Sequence, residues 1–519
     1  MFQRFKKRKA DYVMLRIHHP PVGESSNMDF FDLKLNGQSS EPWFCRVSAL
    51  PYNTWWPGYQ RPIEQSETAA FISFEMDEPV TLEVTSRKEI VEAVVRPTSR
   101  AIAPSVDADL HTVRFTISSC GHYTLEINGT HNALHIFANP VNDFGVDKAD
   151  PNVLYYGPGV YDIGILELQD DQTLFVDGGA VLYGSVQVFH KKNVRILGYG
   201  VIDGSREERR DDTLLITWQA HTFGMNTKEV DRDLRDEVTL RNHIRDEKVL
   251  NGCLHLYSCQ NCEINGIIAR DSATFAYILA NCDRISVDWA KTIGMWRYNS
   301  DGIDTFNSRY IRVSNCFLRD FDDCMVIKGI KGWDKENQHH ISVTGCTIWC
   351  DWGSCLELGA ETCADEYYDI LWDDCDIIHA SHVFMRLHNT DRAWVHDMLV
   401  RNIRCEYSKH DLEPVFQSDM NVPYPGSTPG YQPRLMYSPI VDGPYSNDHI
   451  LGKVSDVRFE NIQIISDYEM PVPYSEFWAY DADHANKNIV IENVSFNGCR
   501  LRPDEVWVVK NEWDDVTVK

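Results

Sequence analysis

The stretch Ile311-Arg312-Val313-Ser314-Asn315 has apolar residues at alternate positions, followed by a residue that commonly forms a tight turn. The same pattern recurs along most of the chain after residue 190. The other copies begin at Val194, Cys262, Ile285, Ile341, Ile370, Met398, Val457 and Ile489. From Cys262 to Met398 the copies start 23, 26, 30, 29 and 28 residues apart. Periods of this length are typical of a solenoid, in which each repeat stacks on the next.

The repeated segments are short and rich in β-forming residues, and no helical periodicity lies between them. An all-β chain wound as a parallel β-helix therefore fits the pattern better than a helical repeat. The turn position is often Asn or Gly, as a left-handed bend requires. One place further on, Cys316, Cys346 and Cys375 share the same position of the repeat. We predict that these three thiols stack as a ladder inside the coil.

The first part of the chain has a different pattern. Val113, Phe115 and Ile117 alternate with polar residues, and a similar alternation ends at an Asn128-Gly129 turn. Short alternating strands with turn signals favour a β-sandwich. We therefore predict an N-terminal β-sandwich domain over residues 1–145 and a β-helix domain over residues 146–519. No catalytic cluster is evident in the first domain, so we expect it to support the second.

Two segments interrupt the period of the solenoid. Residues 205–250 are heavily charged, and residues 406–453 are rich in Pro, Gly and Tyr. Insertions into repeat proteins often form the walls of the binding face. We predict that both segments are loops beside the binding face.

Composition and charge exclude several functions. The formal net charge is −27, and a field of this sign repels nucleic acids and anionic membranes, so neither is an expected partner. The basic start of the chain has no apolar run behind it, and no apolar stretch of membrane-spanning length follows, so we expect a cytoplasmic protein. The 15 cysteines are odd in number and predict reduced thiols. Cys259 and Cys262 have CxxC spacing without a second pair, so we expect no metal and no cofactor.

Three carboxylates occur in two short runs. Asp301 lies in Asn299-Ser300-Asp301-Gly302-Ile303-Asp304, and Asp322 and Asp323 follow 21 residues later. If 21 residues make about one coil, the two runs lie in neighbouring coils, roughly 4.8 Å apart along the axis. Glycoside hydrolysis needs one carboxyl group to protonate the leaving oxygen and another to activate water or attack carbon. The alternative is that these aspartates bond their own backbone at β-helix turns.

These runs resemble the motifs of glycoside hydrolase family 28, the polygalacturonase family. Asn299-Ser300-Asp301 resembles the family's Asn-Thr-Asp motif, and Asp322-Asp323 resembles its Asp-Asp pair. The family's Gly-His-Gly motif aligns with Gly353-Ser354-Cys355, where serine replaces histidine. Its Arg-Ile-Lys motif aligns with Arg386-Leu387-His388, where histidine replaces lysine. The resemblance covers about residues 150–500.

The resemblance implies a right-handed parallel β-helix and an inverting hydrolase. It implies that Asp322 is the general acid and that Asp301 and Asp323 activate water. Arg386 and the residue at position 388 would hold the sugar, Lys328 would pair with an aspartate, and aromatic rings beside the motifs would stack on sugar. The expected substrate-binding residues are Asn299, Lys328, Ser354, Glu357, Arg386, His388, Trp296 and Trp352.

We therefore expect a glycosidase that acts on oligosaccharides or polysaccharides and resembles polygalacturonases. Three alternatives stay open: a neutral-glycan hydrolase of the dextranase or isopullulanase type, a non-catalytic glycan-binding β-helix, and a polysaccharide lyase. His388 in place of lysine, together with the net charge of −27, favours neutral sugars or short uronides over long polygalacturonate. The oligomeric state is left open.

Overall fold

The computed structural model describes residues 15–24, 30–54, 61–207, 252–331, 333–417 and 422–519. These residues form 44 β-strands and three short 3₁₀ turns, at Ile63–Gln65, Thr98–Arg100 and Pro503–Glu505. Among them, no helix has the length and apolar character that a membrane-crossing helix requires. The predicted all-β class is therefore confirmed.

Two sheets form an N-terminal β-sandwich. The first has the order β1-β6-β12-β11-β8, with β4 paired to β6, and the second has the order β3-β2-β7-β10-β9. Their strands are β1 Leu15–Ile17, β2 Phe31–Leu35, β3 Gln38–Ser40, β4 Trp43–Ser48, β6 Ser66–Met76, β7 Val80–Ser86, β8 Ala93–Arg96, β9 Ser105–Asp107, β10 Thr112–Ile117, β11 Gly121–Ile127 and β12 Leu134–Pro140.

The alternation in the sequence explains the sandwich core. On β10, Val113, Phe115 and Ile117 are buried, while the residues between them face solvent. The core cluster combines these side chains with those of β11 and β12 from the other sheet. Because side chains alternate across a strand, each sheet presents one apolar face to its partner.

From residue 153 onward the strands form one parallel β-helix with three faces. Face one holds β13 Val153–Tyr156, β15 Thr173–Val176, β17 Arg195–Leu197, β20 Gln260–Asn265, β23 Asp283–Asp288, β26 Arg309–Ser314, β29 Gln338–Thr344, β32 Glu366–Asp373, β35 Trp394–Arg401, β39 Lys453–Ser466, β41 Asn486–Phe496 and β44 Val516–Val518. Face two holds β14 Gly159–Glu167, β16 Ala180–Phe189, β18 Val201–Asp203, β21 Ile268–Arg270, β24 Lys291–Ile293, β27 Phe317–Asp320, β30 Thr347–Cys350, β33 Asp376–Ala380 and β36 Arg404–Tyr407. Face three holds β19 Leu254–Tyr257, β22 Tyr277–Ala280, β25 Ile303–Phe306, β28 Met325–Gly329, β31 Ser354–Thr362, β34 Val383–Leu387, β38 Arg434–Pro439, β40 Ser475–Trp478 and β43 Val508–Lys510.

Three strands remain, β5 Tyr52–Thr54, β37 Val415–Gln417 and β42 Cys499–Arg500, which belong to none of the three faces. The second halves of β14 and β16 extend face three, and β42 folds back antiparallel on β41. The other two strands, β5 and β37, pair in parallel with each other. The predicted right-handed parallel β-helix and the preceding sandwich are confirmed.

The predicted turn position has left-handed backbone in every copy of the repeat. The φ angle is positive at Gly198, Gly266, Trp289, Asn315, Gly345, Asp374, Asn402, Asn461 and Asn493. Consecutive coils also share side-chain hydrogen bonds there, because Asn461 donates to Asn402 (2.9 Å) and Asn493 donates to Asn461 (2.6 Å). The amide side chain thus tolerates the left-handed bend and links one coil to the next.

In most copies the residue after this turn points into the coil. Cys316, Cys346 and Cys375 occupy equivalent positions and are fully buried, which confirms the predicted thiol ladder. All 15 cysteines are free thiols, and most lie in the coil interior. A thiol there fills space as a small apolar group and donates a weak hydrogen bond to a backbone carbonyl, as Cys316 does.

The sandwich packs on face two of the β-helix. Trp43, Phe71 and Phe137 of the sandwich form a cluster with apolar residues of face two, among them Ile268 and Phe317. This contact brings the sandwich beside the edge where face two turns into face three. That edge carries the aspartate runs.

The structure tests one of the two predicted loops, residues 406–453, and describes little of the other, residues 205–250. Most of residues 205–250 lies outside the described residues. The prediction of one continuous loop over residues 406–453 was wrong, because β38 within it continues face three, pairing with β34. An apolar alternation at Leu435 and Tyr437 is the signal that the repeat resumes there. Among the other described residues of this segment, Glu413, Phe416, Tyr431 and Tyr445 line a cavity above face three.

Candidate active site

The aspartate runs lie at the turns that lead into face three. Asp301 stands two residues before Ile303, the first residue of β25, and Asp323 stands two residues before Met325, the first residue of β28. Ile303 and Met325 are direct partners in the parallel ladder, so the two runs lie in neighbouring coils. Asp301 therefore stacks on Asp323, and Asp322 lies one residue to the side.

Lys328 joins the first run to the strand of the second. Its ammonium group lies 2.8 Å from Asp301 Oδ2 and 3.3 Å from Asp304 Oδ1. The lysine belongs to β28, and its Cα partner in the ladder is Phe306 at the end of β25. Burial alone would discharge a lysine, but the surrounding carboxylates raise its pKa well above the usual value. The predicted pairing of Lys328 with an aspartate is present.

Asp322 is set apart from the other two carboxyls by its surroundings. No ion pair with a described residue neutralises its side chain, which is 8% exposed and faces a cavity. Burial, and then the charges of Asp301 and Asp323, raise the pKa of Asp322 well above its ordinary value. A carboxyl group that keeps its proton near neutral pH can act as a general acid.

Asp301 and Asp323 are better able to ionise. Burial raises the pKa of Asp301 to about 7, with Lys328 opposing the shift, and burial together with Glu357 raises the pKa of Asp323 to about 7. Asp323 accepts a backbone hydrogen bond from Ser354 (2.7 Å), whereas Asp301 Oδ1 has no hydrogen-bond partner among the described residues. Both residues line the cavity, from which a water molecule can reach their carboxyl groups.

Gly353 makes room for this arrangement. A Cβ atom at this position would lie 2.6 Å from Asp323 Oδ1 and 2.7 Å from the backbone of Asp322. Such distances are shorter than any ordinary contact. Glycine therefore allows the chain to pass directly behind the carboxyl pair.

Three residues of the next two coils form a second polar cluster. Glu357 of β31 and Arg386 of β34 are direct partners in the ladder, with the guanidinium 3.5 Å from Glu357 Oε1. His388 follows β34, and its Nδ1 lies 3.8 Å from the same oxygen. Burial and then the charge of Arg386 keep the pKa of His388 well below its usual value. The imidazole is therefore neutral rather than the weak cation expected from the sequence.

A cavity of about 580 Å³ lies above this surface. It is lined by all three aspartates and by most of the predicted substrate-binding residues. Those that line it are Asn299, Lys328, Trp352, Glu357, Arg386 and His388.

Two predicted substrate-binding residues are not among those lining the cavity. Trp296 is 4% exposed, and its indole N–H donates to Asp271 (2.9 Å), so it is part of the packing near the turn. Ser354 is fully buried at the start of β31, and its backbone N–H binds Asp323. Ser354 thus orients a carboxyl group from behind instead of meeting sugar.

Comparison with known proteins agrees with this geometry. The sequence profile described as Glycosyl hydrolases family 28 matches residues 235–393, the part of the chain that carries the three aspartates, Lys328, Glu357 and Arg386. The resemblance to family 28 is confirmed. No curated protein sequence gives a significant match.

Two solved structures align with much of this chain. Dex49A from Penicillium minioluteum aligns over 97% of this chain and 96% of its own, with a TM-score of 0.58 and 13% identity. An exopolygalacturonase from Thermotoga maritima aligns over 71% of this chain and 83% of its own, with a TM-score of 0.47 and 16% identity. At 13% identity the similarity to Dex49A is a similarity of fold, and it extends over both the sandwich and the β-helix.

Several other residues that line the cavity lie outside the sequence motifs. Glu361 lies on β31 and His382 lies just before β34, whereas Glu413, Tyr431, Arg434 and Tyr445 come from the chain after β36. Glu361 belongs to β31, which bulges opposite Ile327 and Gly329 of β28. The two consecutive residues Gly359 and Ala360, which break the alternation of β31, are the signal for that bulge.

Acidic side chains outnumber basic ones around the cavity. Six carboxyl groups line it, from Asp301, Asp322, Asp323, Glu357, Glu361 and Glu413, against three lysine or arginine side chains. Each of those three cations already contacts a carboxylate: Lys328 contacts Asp301, Arg386 contacts Glu357, and Arg434 contacts Glu476 at 2.8 Å. A carboxylate on the substrate would therefore meet no uncommitted lysine or arginine among the described lining residues.

The titration of the aspartates predicts the pH dependence of hydrolysis. We expect kcat/KM to fall as the pH drops through about 7, because Asp301 and Asp323 then take up protons and cannot activate water. We expect it to fall again at higher pH, where Asp322 loses its proton. The measurement is a pH–rate profile under subsaturating substrate. A profile that stays flat down to pH ~5 would contradict the assignment, since unperturbed carboxyls titrate near pH 4.

Proposed function

We propose that this protein is a glycoside hydrolase that cleaves neutral oligosaccharides or polysaccharides with inversion of configuration. The observation that supports it best is the set of three buried carboxyl groups around one lysine at the base of an open cavity. Glycoside hydrolysis by inversion needs one protonated and one ionised carboxyl with water between them. The family 28 match over the same residues supports this assignment.

The proposed reaction follows from the roles of the aspartates. Asp322 donates its proton to the glycosidic oxygen as the bond between that oxygen and the anomeric carbon breaks. Asp301 and Asp323 take a proton from water, whose oxygen forms the new bond to the same carbon from the opposite side. Lys328 keeps Asp301 oriented and favours its ionised form. One water molecule is consumed, and the two sugars leave with a hydroxyl group each.

The preference for a neutral sugar rests on the charge of the cavity. The ionised members of the six lining carboxyl groups would repel a uronate, and every lining lysine or arginine in the described residues is engaged by a carboxylate. His388 is buried and neutral, so it adds hydrogen bonding without charge. Neutral sugar hydroxyls can bind such a surface, because each can donate to a carboxylate.

A substrate panel tests the proposed function. The panel contains dextran, pullulan, oligosaccharides made from each, short oligogalacturonides and long polygalacturonate, with products separated by chromatography. We expect a neutral glycan to be cleaved with the highest kcat/KM and long polygalacturonate to be cleaved slowest. Faster cleavage of long polygalacturonate than of any neutral glycan would contradict the neutral preference. An ultraviolet-absorbing unsaturated product would instead indicate a lyase, and binding without turnover would indicate a glycan-binding protein.

The stereochemistry of the product is a separate prediction. Asp301 and Asp323 stack on one another, while Asp322 is displaced sideways along the turn, which separates the acid from the pair that activates water. An inverting enzyme keeps its acid and base about 6.5–9.5 Å apart so that water fits between them. We expect the first product to have the opposite anomeric configuration to the substrate. Proton NMR within the first minutes measures this, and retention of configuration would exclude the single-displacement reaction.

A further inference from the structure

One wall of the cavity comes from the N-terminal domain. Strand β5 of the sandwich side pairs in parallel with β37, so that Asn53 lies opposite Phe416 in the two-stranded sheet. Asn53 lines the same cavity as the three aspartates. The first domain therefore reaches the candidate active site through this strand, beyond the supporting role expected from its sequence.

The side chain of Asn53 has the features of a ligand-binding group. It is 1% exposed, and its Oδ1 atom has no hydrogen-bond partner among the described residues. A buried amide oxygen without a partner is energetically unfavourable, and a bound water or ligand hydroxyl group can supply the missing hydrogen bond. The amide offers both an acceptor and two donors, which matches neighbouring hydroxyl groups of a sugar ring.

Aromatic rings lie next to this amide. Phe416 is 52% exposed and lines the cavity, and its ring centroid is 6.5 Å from that of Trp352. Trp352 stacks in turn on Phe321, the residue before Asp322, at 5.9 Å. An exposed ring beside hydrogen-bonding groups is the usual surface on which a pyranose stacks. Phe416, Trp352 and Phe321 thus form a row of neighbouring rings between Asn53 and Asp322.

The loop that carries Phe416 is fastened to the sandwich at two further places. His379 lies between Glu126 of β11 and Asp411 of the loop, with its Nδ1 2.8 Å from Asp411. Glu92 accepts hydrogen bonds from Lys409 (2.8 Å) and His410 (3.2 Å). These contacts hold the loop and β5 together, so that Asn53 and Phe416 keep a fixed relation before any ligand binds.

We propose that Asn53, Phe416 and Trp352 form a sugar-binding subsite that is shared between the two domains. The inference rests on the proposed function. The subsite takes a neutral pyranose unit of the substrate, whose face stacks on the aromatic rings while two of its hydroxyl groups bind the Asn53 amide. It sets the chain length that the enzyme prefers, because only a substrate long enough to reach β5 gains these contacts.

Asn53→Ala tests the subsite through the dependence of binding on chain length. The probes are dextran and pullulan oligosaccharides from the disaccharide to the octasaccharide, titrated calorimetrically into Asp322→Asn protein so that none is consumed. We expect Asn53→Ala in this background to weaken binding of the longer members about 3–10-fold, as the loss of one or two hydrogen bonds does. Binding of the shortest members and the thermal midpoint should stay unchanged.

Tyr52→Phe is the matched control in the same strand. It removes the hydrogen bond from the Tyr52 hydroxyl to the Val422 carbonyl (2.9 Å), which ties β5 to the loop without facing the cavity. We expect it to bind every oligosaccharide like the parent protein. Equal binding of all lengths by Asn53→Ala, or the same loss in both variants, would overturn the subsite while leaving the hydrolase intact. If the parent protein binds and cleaves no glycan, the proposed function fails and the subsite fails with it.

Discussion

Replacing Asp322 with asparagine is expected to lower turnover by about 10²–10⁴-fold, the usual effect of losing a general acid. Asparagine has nearly the same shape as protonated aspartate but cannot give a proton to the glycosidic oxygen. Because Asp322 is held protonated by burial and by the charges of Asp301 and Asp323, the substitution changes little in the folded protein. Initial rates on the best glycan of the panel measure the loss of turnover. The thermal midpoint measures whether the folded protein is as stable as the wild type.

The leaving group and a neighbouring residue provide the controls. A substrate with an activated aryl leaving group needs little protonation, so Asp322→Asn should lose far less activity on it. Asp320→Asn changes an equally buried carboxyl two residues away, which accepts a hydrogen bond from Thr292 (2.9 Å) and does not line the cavity. It should stay close to wild-type activity. Near-full activity of Asp322→Asn on a natural linkage would refute the assignment of the acid.

Replacing Arg96 with methionine is expected to lower the free energy of unfolding by about 3–5 kcal/mol. Arg96 is 2% exposed at the end of β8, and its guanidinium binds Glu126 of the sandwich (2.9 Å) together with Glu406 and Asp467 of the β-helix (2.5 and 3.0 Å). Methionine fills much of the space but leaves these carboxylates without a cation. Urea unfolding monitored by tryptophan fluorescence measures the change.

Arg114→Met is the matched control for this substitution. Arg114 is an exposed arginine of the same domain that pairs with Glu83, and solvent screens such a pair. We expect its unfolding midpoint to stay close to that of the wild-type protein. Because Arg96 joins the two domains, its loss should also separate their unfolding into two transitions. A single transition at an unchanged midpoint would show that the buried network does not stabilise the contact.

The fold was largely predictable from the sequence because a β-helix is a local repeat. Each coil needs inward apolar residues and a left-handed turn, and both are visible as Ile311, Val313 and Asn315 in one copy and as their equivalents in the others. Stacking of neighbouring coils then follows from the period alone. The same regularity placed Asp301 and Asp323 in adjacent coils, since a separation of about one period brings residues into register.

Irregular parts of the chain decided the rest of the site. Trp296 and Ser354 are next to the motifs in sequence, yet the Trp296 indole donates to Asp271 and Ser354 is buried beneath Arg386, which contacts its hydroxyl group. The charge of His388 depended on burial beside Arg386, which a sequence does not express. Asn53 reaches the cavity only because the sandwich packs on face two and pairs β5 with β37.

The sequence by itself therefore determined the coil, its turns and the stacking of the aspartates, because these depend on contacts between residues about one period apart. The tertiary structure alone decided which side chains line the cavity, which carboxyls hold protons and how the first domain takes part. The last of these properties arises from contacts between segments hundreds of residues apart, such as Arg96 with Glu406 and Tyr52 with Val415. Such contacts leave no period in the sequence, and burial sets their energies.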